Sequence, residues 1–386
     1  MTRVSEKAVQ RTAAVPAVAA FDVAVARVER VGANFQRITF SGACLNGFGV
    51  AGPLLDLRIK VIIPADGRPC PDIGALMQGG GESAGWYQQW LGLEPDERGS
   101  MRTYTVRDFR AHEAEPEIDV DFVLHFDDDG TGGPASQWAA KAAPGDRVCL
   151  IGPNVAAAQC TTAGSCGGIE WSPGLAQHVL LVGDETAVPA ICAILESLPA
   201  HVGGDAFLEV SDPADIQEVS TASSVRITWL ARGAREHGEL LDQAVRTAVR
   251  VPGWVSLAKY FVPGTAGART RNGTPGTPGA RTRNGQAGVG APGSPGGTSA
   301  LAGPEPEEVD IDRTILWETP QRLEASVLEA TPNPGRLPGS QPFYAWIAGE
   351  AALVRGLRRY LVRDVGIDRK QVAFMGYWRK GRSELA

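Results

Sequence analysis

The chain has no excess of basic charge, no long apolar run, no paired-cysteine motif and no complete glycine-rich dinucleotide fingerprint. Lys plus Arg number 37 against 44 Asp plus Glu, a formal net charge of −7. A nucleic-acid binder is normally basic, so no nucleic-acid partner is expected, while a local basic patch that captures an anion remains compatible. No stretch approaches the ~18 apolar residues of a membrane-spanning helix. The apolar part of the N-terminal segment, 13–21, contains Pro16 and is approached through Glu6 and Arg11, unlike an export signal. Residues 1–20 read as a disordered tail. The six cysteines, at 44, 70, 149, 160, 166 and 192, form no C-x-x-C pair and no zinc-type pattern with histidine, so no metal is expected. Cys149 and Cys192 sit in apolar stretches and read as packed thiols. Cys160 and Cys166 lie in a Gly/Ser/Thr-rich loop, where oxidation to each other is the lesser alternative to a structureless connection. These absences together point to a reducing, cytoplasmic environment.

What is present is ordinary globular composition, 43% apolar and 21% charged over 386 residues, enough for two domains. From Phe21 the pattern is β-like. Strand candidates are Phe21–Arg30, Arg37–Phe40, Leu55–Ile63, Arg102–Arg107, Asp119–Phe126 and Arg147–Ile151, with one helix at 135–142 and a long polar, Gly-rich connection at 66–100. Short strands bounded by Gly, Asn and Pro predict an antiparallel barrel over 21–152. After a linker loop at 153–176 the pattern changes. Val179–Val182 is a continuous apolar run suited to a buried parallel strand. Helices near 188–198, 239–249 and 351–362 alternate with strands at 207–210, 225–230, 343–348 and 372–375, which predicts a parallel α/β domain over 177–386. Residues 263–306 interrupt it. They are rich in Gly, Pro, Thr and Ser, and Gly-Ala-Arg-Thr-Arg-Asn-Gly occurs twice, at 267–273 and 279–285. Nothing in them offsets the entropy of ordering.

Chemistry concentrates in a few segments. In Arg102-Thr103-Tyr104-Thr105-Val106-Arg107, period two puts Arg102 and Tyr104 on one face and Thr103, Thr105 and Arg107 on the other. A guanidinium beside an aromatic plane suits a pyrophosphate and a flat ring, as in a flavin dinucleotide. The alternative is a barrel strand with a snorkelling Arg and an interfacial Tyr. Gly133-Pro134-Ala135-Ser136 is a helix start whose free N–H groups suit a pyrophosphate. Gly183-Asp184-Glu185-Thr186 after an apolar strand has a dinucleotide-binding layout but keeps one glycine, and its two acids would repel phosphate if they faced it. Glu209 ends the next strand and could hold a ribose hydroxyl; Arg232 ends the third and could receive a 2′-phosphate. Each is equally a surface charge at a strand end. Asp56, Arg58 and Lys60 read as a cationic strand face, and Tyr377 to Arg382 as two aromatics followed by cations.

In this order the segments resemble the siderophore-interacting proteins, flavin-containing ferric-siderophore reductases similar to the ferredoxin reductase superfamily. The pieces are the Asp56–Lys60 strand, Arg102–Arg107, Asp121–His125, Gly133–Ala139, Gly183–Pro189, Trp229–Arg232, Tyr344–Glu350 and Gly376–Gly381. The resemblance implies a flavin-binding β-barrel followed by a nicotinamide-binding parallel-sheet domain. It implies FAD and NADPH as cofactors, with NADH possible, and a ferric siderophore, an anionic iron chelate, as substrate. It implies cofactor contacts from Arg102, Tyr104, Thr105, His125, Gly133, Ala135, Ser136, Gly183, Asp184, Thr186, Arg232, Gly349 and Glu350, and substrate contacts from Lys60, Arg379 and Lys380. No side chain is expected to act as acid, base or nucleophile, because the flavin carries the redox chemistry. Arg58 stands where the family usually has His, and the 263–306 repeats are foreign to the family pattern. A generic flavin reductase and a non-catalytic flavin or chelate binder are the alternatives.

Replacing residues 263–306 by a short Gly/Ser bridge is expected to leave the thermal midpoint nearly unchanged. A fall of many degrees in a melting experiment would show that the insertion packs on the domain.

Overall fold

The computed structural model describes residues 15–79, 85–112, 115–127, 129–160, 167–248, 317–319 and 343–381. The expected 263–306 insertion, residues 1–14 of the expected tail, and Cys166 lie outside them. The first half is one antiparallel sheet of seven strands: β1 (Val18–Arg30), β2 (Phe35–Ser41), β3 (Arg58–Ile63), β4 (Ser100–Thr105), β5 (Asp108–Arg110), β6 (Glu117–Val123) and β7 (Arg147–Pro153). Their order is β4-β3-β7-β1-β2-β6-β5. The two outer strands are consecutive in sequence, so the sheet curls until one kinked segment serves both edges. Val106 N donates to Leu57 O at 2.8 Å and Arg107 N to Asp119 O at 2.8 Å, carrying that segment from one side of the curl to the other. Curling leaves no long open edge to pair with another chain.

Alternation along these strands fills the interior. Val23, Val25, Ile38, Phe40, Ile59, Val61, Ile118, Val120, Phe122, Val148 and Leu150 are buried, each large side chain contributing roughly 1.5–3 kcal/mol of transfer free energy. Helix α4 (Pro134–Lys141) lies over one end, where Trp138 stacks on Phe40 with ring centroids 6.3 Å apart. Two expectations change here. The tail ends earlier, since Val18, Ala19 and Ala20 pair with Pro153, Gly152 and Ile151. The 66–100 connection carries three short helices, α1 (Ile73–Gly79), α2 (Gly85–Leu91) and α3 (Pro95–Arg98). They cover the outer face of β3 and β4, with Trp90 buried against Ile62, Met101, Cys149 and Ile151. Glycines and polar residues masked the few apolar positions that anchor them.

The second half is a six-stranded sheet in the order β10-β9-β8-β12-β13-β11. Its strands are β8 (His178–Gly183), β9 (Gly203–Val210), β10 (Ser224–Ala231), β11 (Trp317–Glu318), β12 (Phe343–Glu350) and β13 (Val372–Trp378). All are parallel except the two-residue edge strand β11. Helices α5 (Val188–Ser197), α6 (Glu239–Ala248) and α7 (Ala351–Arg359) cover it. The eight residues of β12 are all buried, as a central parallel strand requires.

The described part of the linker is packed rather than free at Glu170 and Trp171. Asp56, fully buried in the turn before β3, accepts Glu170 N, Trp171 N at 3.0 Å, and Trp346 Nε1 of β12 at 3.1 Å. One carboxylate thus joins the barrel, the linker and the second sheet. Burial raises its pKa, and these three donors pull it part of the way back. Arg107 adds a bidentate pair to Glu196 of α5 at 2.8 and 2.6 Å.

Asp56→Ala is expected to lower the free energy of unfolding by at least about 2 kcal/mol, because three buried donors lose their acceptor at roughly 1–3 kcal/mol each. A urea midpoint and slope equal to wild type would remove Asp56 from this role.

Candidate functional site

The chain leaves β8 towards β9 and β10 on one side and returns through β12 on the other. The carboxyl edge between β8 and β12 is therefore a topological switch point, where open α/β sheets bind ligands. Gly183, Asp184, Glu185 and Thr186 follow β8 at this point. Both acids are buried, so the repulsion they would exert on a phosphate they faced is averted. Asp184 is fully buried and accepts Thr186 N at 2.9 Å, Thr186 Oγ1 at 2.6 Å, Glu350 N at 2.7 Å and Trp378 Nε1 at 2.9 Å. Burial opposes its charge, yet His237 and these donors hold its pKa below the usual carboxylate value. Glu185 is 1% exposed and is met by both terminal nitrogens of Arg232 at 2.8 Å. The edge is thus not a wall of free negative charge.

Glycine is required twice here. A Cβ on Gly183 would lie 2.5 Å from the Cβ of Ala187, so the strand could not turn tightly into α5. Gly349 has φ +143°, and a Cβ there would lie 2.6 Å from Asp184 Oδ2.

Several expected contacts are already used within the protein. Thr186 gives its hydroxyl proton to Asp184. Arg232 also donates to Ser211 Oγ at 2.7 Å, and its side chain is 14% exposed. Glu350 caps α7 through Ala352 N at 2.7 Å and Leu353 N at 3.0 Å, and its other oxygen accepts Lys380 N at 3.2 Å. Glu209 is fully buried and accepts Gly238 N at 2.6 Å and Leu241 N at 3.0 Å. Those are donors at the start of α6, which no helical carbonyl can satisfy. Glu209 is therefore a helix cap, and the ribose role read from its strand-end position is corrected.

On the barrel side, Arg102 and Tyr104 share a face, opposite the core residues Val61 and Ile59 of β3. Tyr104 lies 4.2 Å, centroid to centroid, from Phe122. Arg102 donates to Met101 O at 2.8 Å and has further contacts. Thr105 is buried on the other face, opposite Arg58. Gly133 caps α4 with no side-chain hydrogen bond, and the space where its Cβ would stand is open. Ser136 Oγ is turned to the end of β6, accepting His125 N at 3.2 Å and donating to Val123 O at 3.3 Å. With Ser136 so occupied and Pro134 lacking an N–H, the first backbone donors of α4 remain suited to an anion. Ala135 has no polar side chain and Ser136 Oγ is used, so these two positions offer backbone alone. His125 reaches across the halves: its ring lies 5.6 Å from that of Trp378, and Nδ1 is 3.9 Å from Glu185 Oε1. Burial lowers its pKa against the pull of Glu185.

The residues expected to form a cationic wall sit on different elements. Lys60 is exposed and donates to Thr103 Oγ1 at 2.6 Å, on the sheet face opposite Arg102 and Tyr104. Arg58 leaves the expected patch, pairing with Glu170 at 2.7 Å and lying 4.1 Å over the Trp317 ring. Asp56 is buried. Arg379 is half-buried, and Lys380 is 70% exposed with Nζ 3.4 Å from Glu236. Sequence reading missed His237, whose Nε2 is 3.3 Å from Asp184 Oδ2; no local motif marks it.

The siderophore-interacting FAD-binding domain family matches residues 24–157, and the siderophore-interacting protein family matches residues 176–381. Ferric vibriobactin reductase of Vibrio cholerae is 32% identical over 234 residues, 61% of this chain and 74% of that protein. The NADPH-dependent ferric-chelate reductase of Escherichia coli is 29% identical over 235 residues, 60% of this chain and 77% of that protein. Among solved structures, a siderophore utilization protein from T. fusca superposes with TM-score 0.55 at 21% identity, covering 96% of this chain and 97% of that one. The siderophore-interacting protein of Aeromonas hydrophila gives TM-score 0.54 at 23% identity, covering 96% and 95%.

Glu209→Ala is expected to cost about 1–2 kcal/mol of stability, the range for losing a helix cap. Unfolding in urea at the wild-type midpoint would return Glu209 to the list of residues available to a ligand.

Proposed function

The chain belongs to the siderophore-interacting protein family, and from that premise we infer that it is an NADPH-dependent, FAD-containing reductase that releases iron from ferric siderophores. The observation that carries the reading is the match of both families, in order, to a curled antiparallel sheet followed by a parallel α/β sheet. FAD, if bound, would supply the redox chemistry that links a two-electron hydride donor to one-electron reduction of iron. The residues fit such a group: an uncapped helix start at Gly133 with open space beside it, and Arg102 and Tyr104 on one strand face.

In this reading Arg102 and the Gly133–Ser136 backbone hold the pyrophosphate, and Tyr104 lies against the flavin ring with Thr105 and His125 nearby. Gly183 to Thr186, Gly349 and Glu350 shape the nucleotide edge. Asp184 and Glu350 act by fixing backbone rather than by touching the ligand. Arg232 serves a 2′-phosphate only by sharing itself with Glu185, so its preference for NADPH over NADH is a matter of that competition. The substrate is an anionic ferric chelate drawn in by Lys60, Arg379 and Lys380. Iron leaves because the ferrous ion is held less tightly by hard oxygen ligands. The work of the protein is position and electrostatics. Among the described residues no helix is long and apolar enough to cross a membrane.

Anaerobic mixing of the purified yellow protein with NADPH should bleach the flavin, and a ferric catecholate or citrate-type chelate should restore the colour. A flavin that stays oxidised would make the protein a binder. The KM for the anionic chelate should rise as salt goes from about 0.1 to about 1 M, where the screening length falls from about 10 to about 3 Å. Lys60→Ala and Lys380→Ala are measured separately, because Lys60 lies on the sheet face opposite Arg102. A wild-type salt curve in both variants would place the chelate elsewhere.

A further inference from the structure

His237 lies in the segment between β10 and α6 and is the least expected member of the nucleotide edge. Its side chain is 11% exposed. Nε2 stands 3.3 Å from Asp184 Oδ2 and 3.8 Å from Glu185 Oε2, as an ion pair rather than an aligned hydrogen bond. The ring meets Trp378 edge-on, centroids 5.1 Å apart at 81°. Trp378 in turn donates its indole N–H to the same Asp184 oxygen. Asp184, Trp378 and His237 are therefore a closed triangle in which each member touches the other two. His125 of the barrel half lies against Trp378 from another direction.

The charges around this ring do not balance without it. Asp184 and Glu185 face it from the end of β8 and Glu209 from the end of β9, with Arg232 from the end of β10 and His125 from the barrel half. The neighbouring Glu236 is paired outward with Lys380. Asp184, Glu185 and His237 also lie close enough together to suggest a metal centre. Arg232 already covers both oxygens of Glu185, so a protein cation holds that place.

We propose that His237 is a positioning residue for the reductase: in its charged form it holds Asp184 and Trp378 in place at the carboxyl edge, so that the nicotinamide nucleotide binds more tightly when the ring carries its proton. The proposal rests on the reading of this edge as the nucleotide site. Burial works against the charge on the ring, and the contact with Asp184 together with the charge of Glu185 outweighs it, raising the pKa above the ordinary histidine value. The direction follows by linkage. A raised folded pKa gives an interaction fully present below the ordinary value of about 6.5 and lost as pH rises through the raised one.

The experiment is NADP⁺ titration of the flavin-loaded protein by calorimetry, from about pH 6 to about pH 9, in wild type, His237→Gln and His237→Lys. At the acid end His237→Gln should bind roughly tenfold more weakly than wild type, in the lower part of the range of energetic coupling between a binding site and a second group. At the alkaline end wild type should fall to the Gln level. His237→Lys should keep the wild-type acid affinity and hold it to the alkaline end. The titration of the nucleotide's own 2′-phosphate is common to all three proteins and cancels in their ratios. In parallel, nitrogen NMR of the wild-type histidines should show the His237 ring titrating at higher pH when NADP⁺ is bound, a reciprocity that does not depend on any variant folding. Equal pH curves for wild type and His237→Gln, or a ring pKa unmoved by NADP⁺, overturn the proposal. So does a wild-type affinity that collapses on adding EDTA, which would make Asp184, Glu185 and His237 a metal centre. Absence of NADP⁺ binding at any pH overturns this proposal and the nucleotide-edge reading together, whereas the first outcomes leave that reading standing.

Discussion

The Asp184 carboxylate is the point on which the second half of the molecule turns. It follows β8, the strand that starts the sheet, and accepts donors from its own turn, from the end of β12 and from the end of β13. A buried carboxylate is costly unless its lone pairs are met. Asp184 meets that condition with backbone and indole N–H groups that no other feature of the edge would satisfy. The glycine at 349 exists to let this carboxylate approach. A sequence that seemed to put negative charge where a phosphate must sit has instead turned that charge inward and used it to fix the strand ends.

Asp56 does for the two halves what Asp184 does for the sheet. Its three donors come from the linker and from β12. Near it Trp171 packs edge-to-face with Tyr344 and Trp346 with Tyr377, and Arg58 lies over Trp317. Aromatic pairs of this kind add about 0.5–1.5 kcal/mol beyond their burial. The consequence for function is geometric. An uncapped helix start on one half and a switch point on the other belong to one site only if the halves are held in a constant relation. Buried, directional bonds hold that relation more closely than apolar contact alone.

Electrostatics at the edge follow from the same economy. Glu185 is covered by Arg232, Glu209 by the start of α6, and Asp184 by its donors and His237. Each acid has a specific partner, so the local field is set by pairs rather than by the net charge of the chain. An anionic nucleotide can approach such an edge although three carboxylates lie beneath it.

The sequence by itself determined the order and class of the main elements, β5, β11 and the helices α1 to α3 excepted. Period-two alternation in Val120, Phe122 and Leu124 against Asp119 and Asp121 marks a strand with one buried face, and the unbroken run Val179–Val182 marks one buried on both. The change from one pattern to the other separates the strands of the antiparallel sheet from those of the parallel one, and Gly133-Pro134 located the start of α4. These signals are local, because strand and helix periods are properties of neighbouring residues. Only the tertiary structure decided where the charged side chains point. Glu209 and Glu350 at strand ends look like ligand contacts in a linear reading, and both cap helices that begin many or few residues later. Lys60 and Arg102 both belong to the expected site, and register puts them on opposite faces of the sheet. His237 has no motif, and its role arises from a contact with Asp184 more than fifty residues away. The helices between 66 and 100 are legible only through the core that Trp90 completes. Long-range partners, not local period, choose among the uses open to a polar side chain, since each buried donor or acceptor must find its complement wherever the fold brings one.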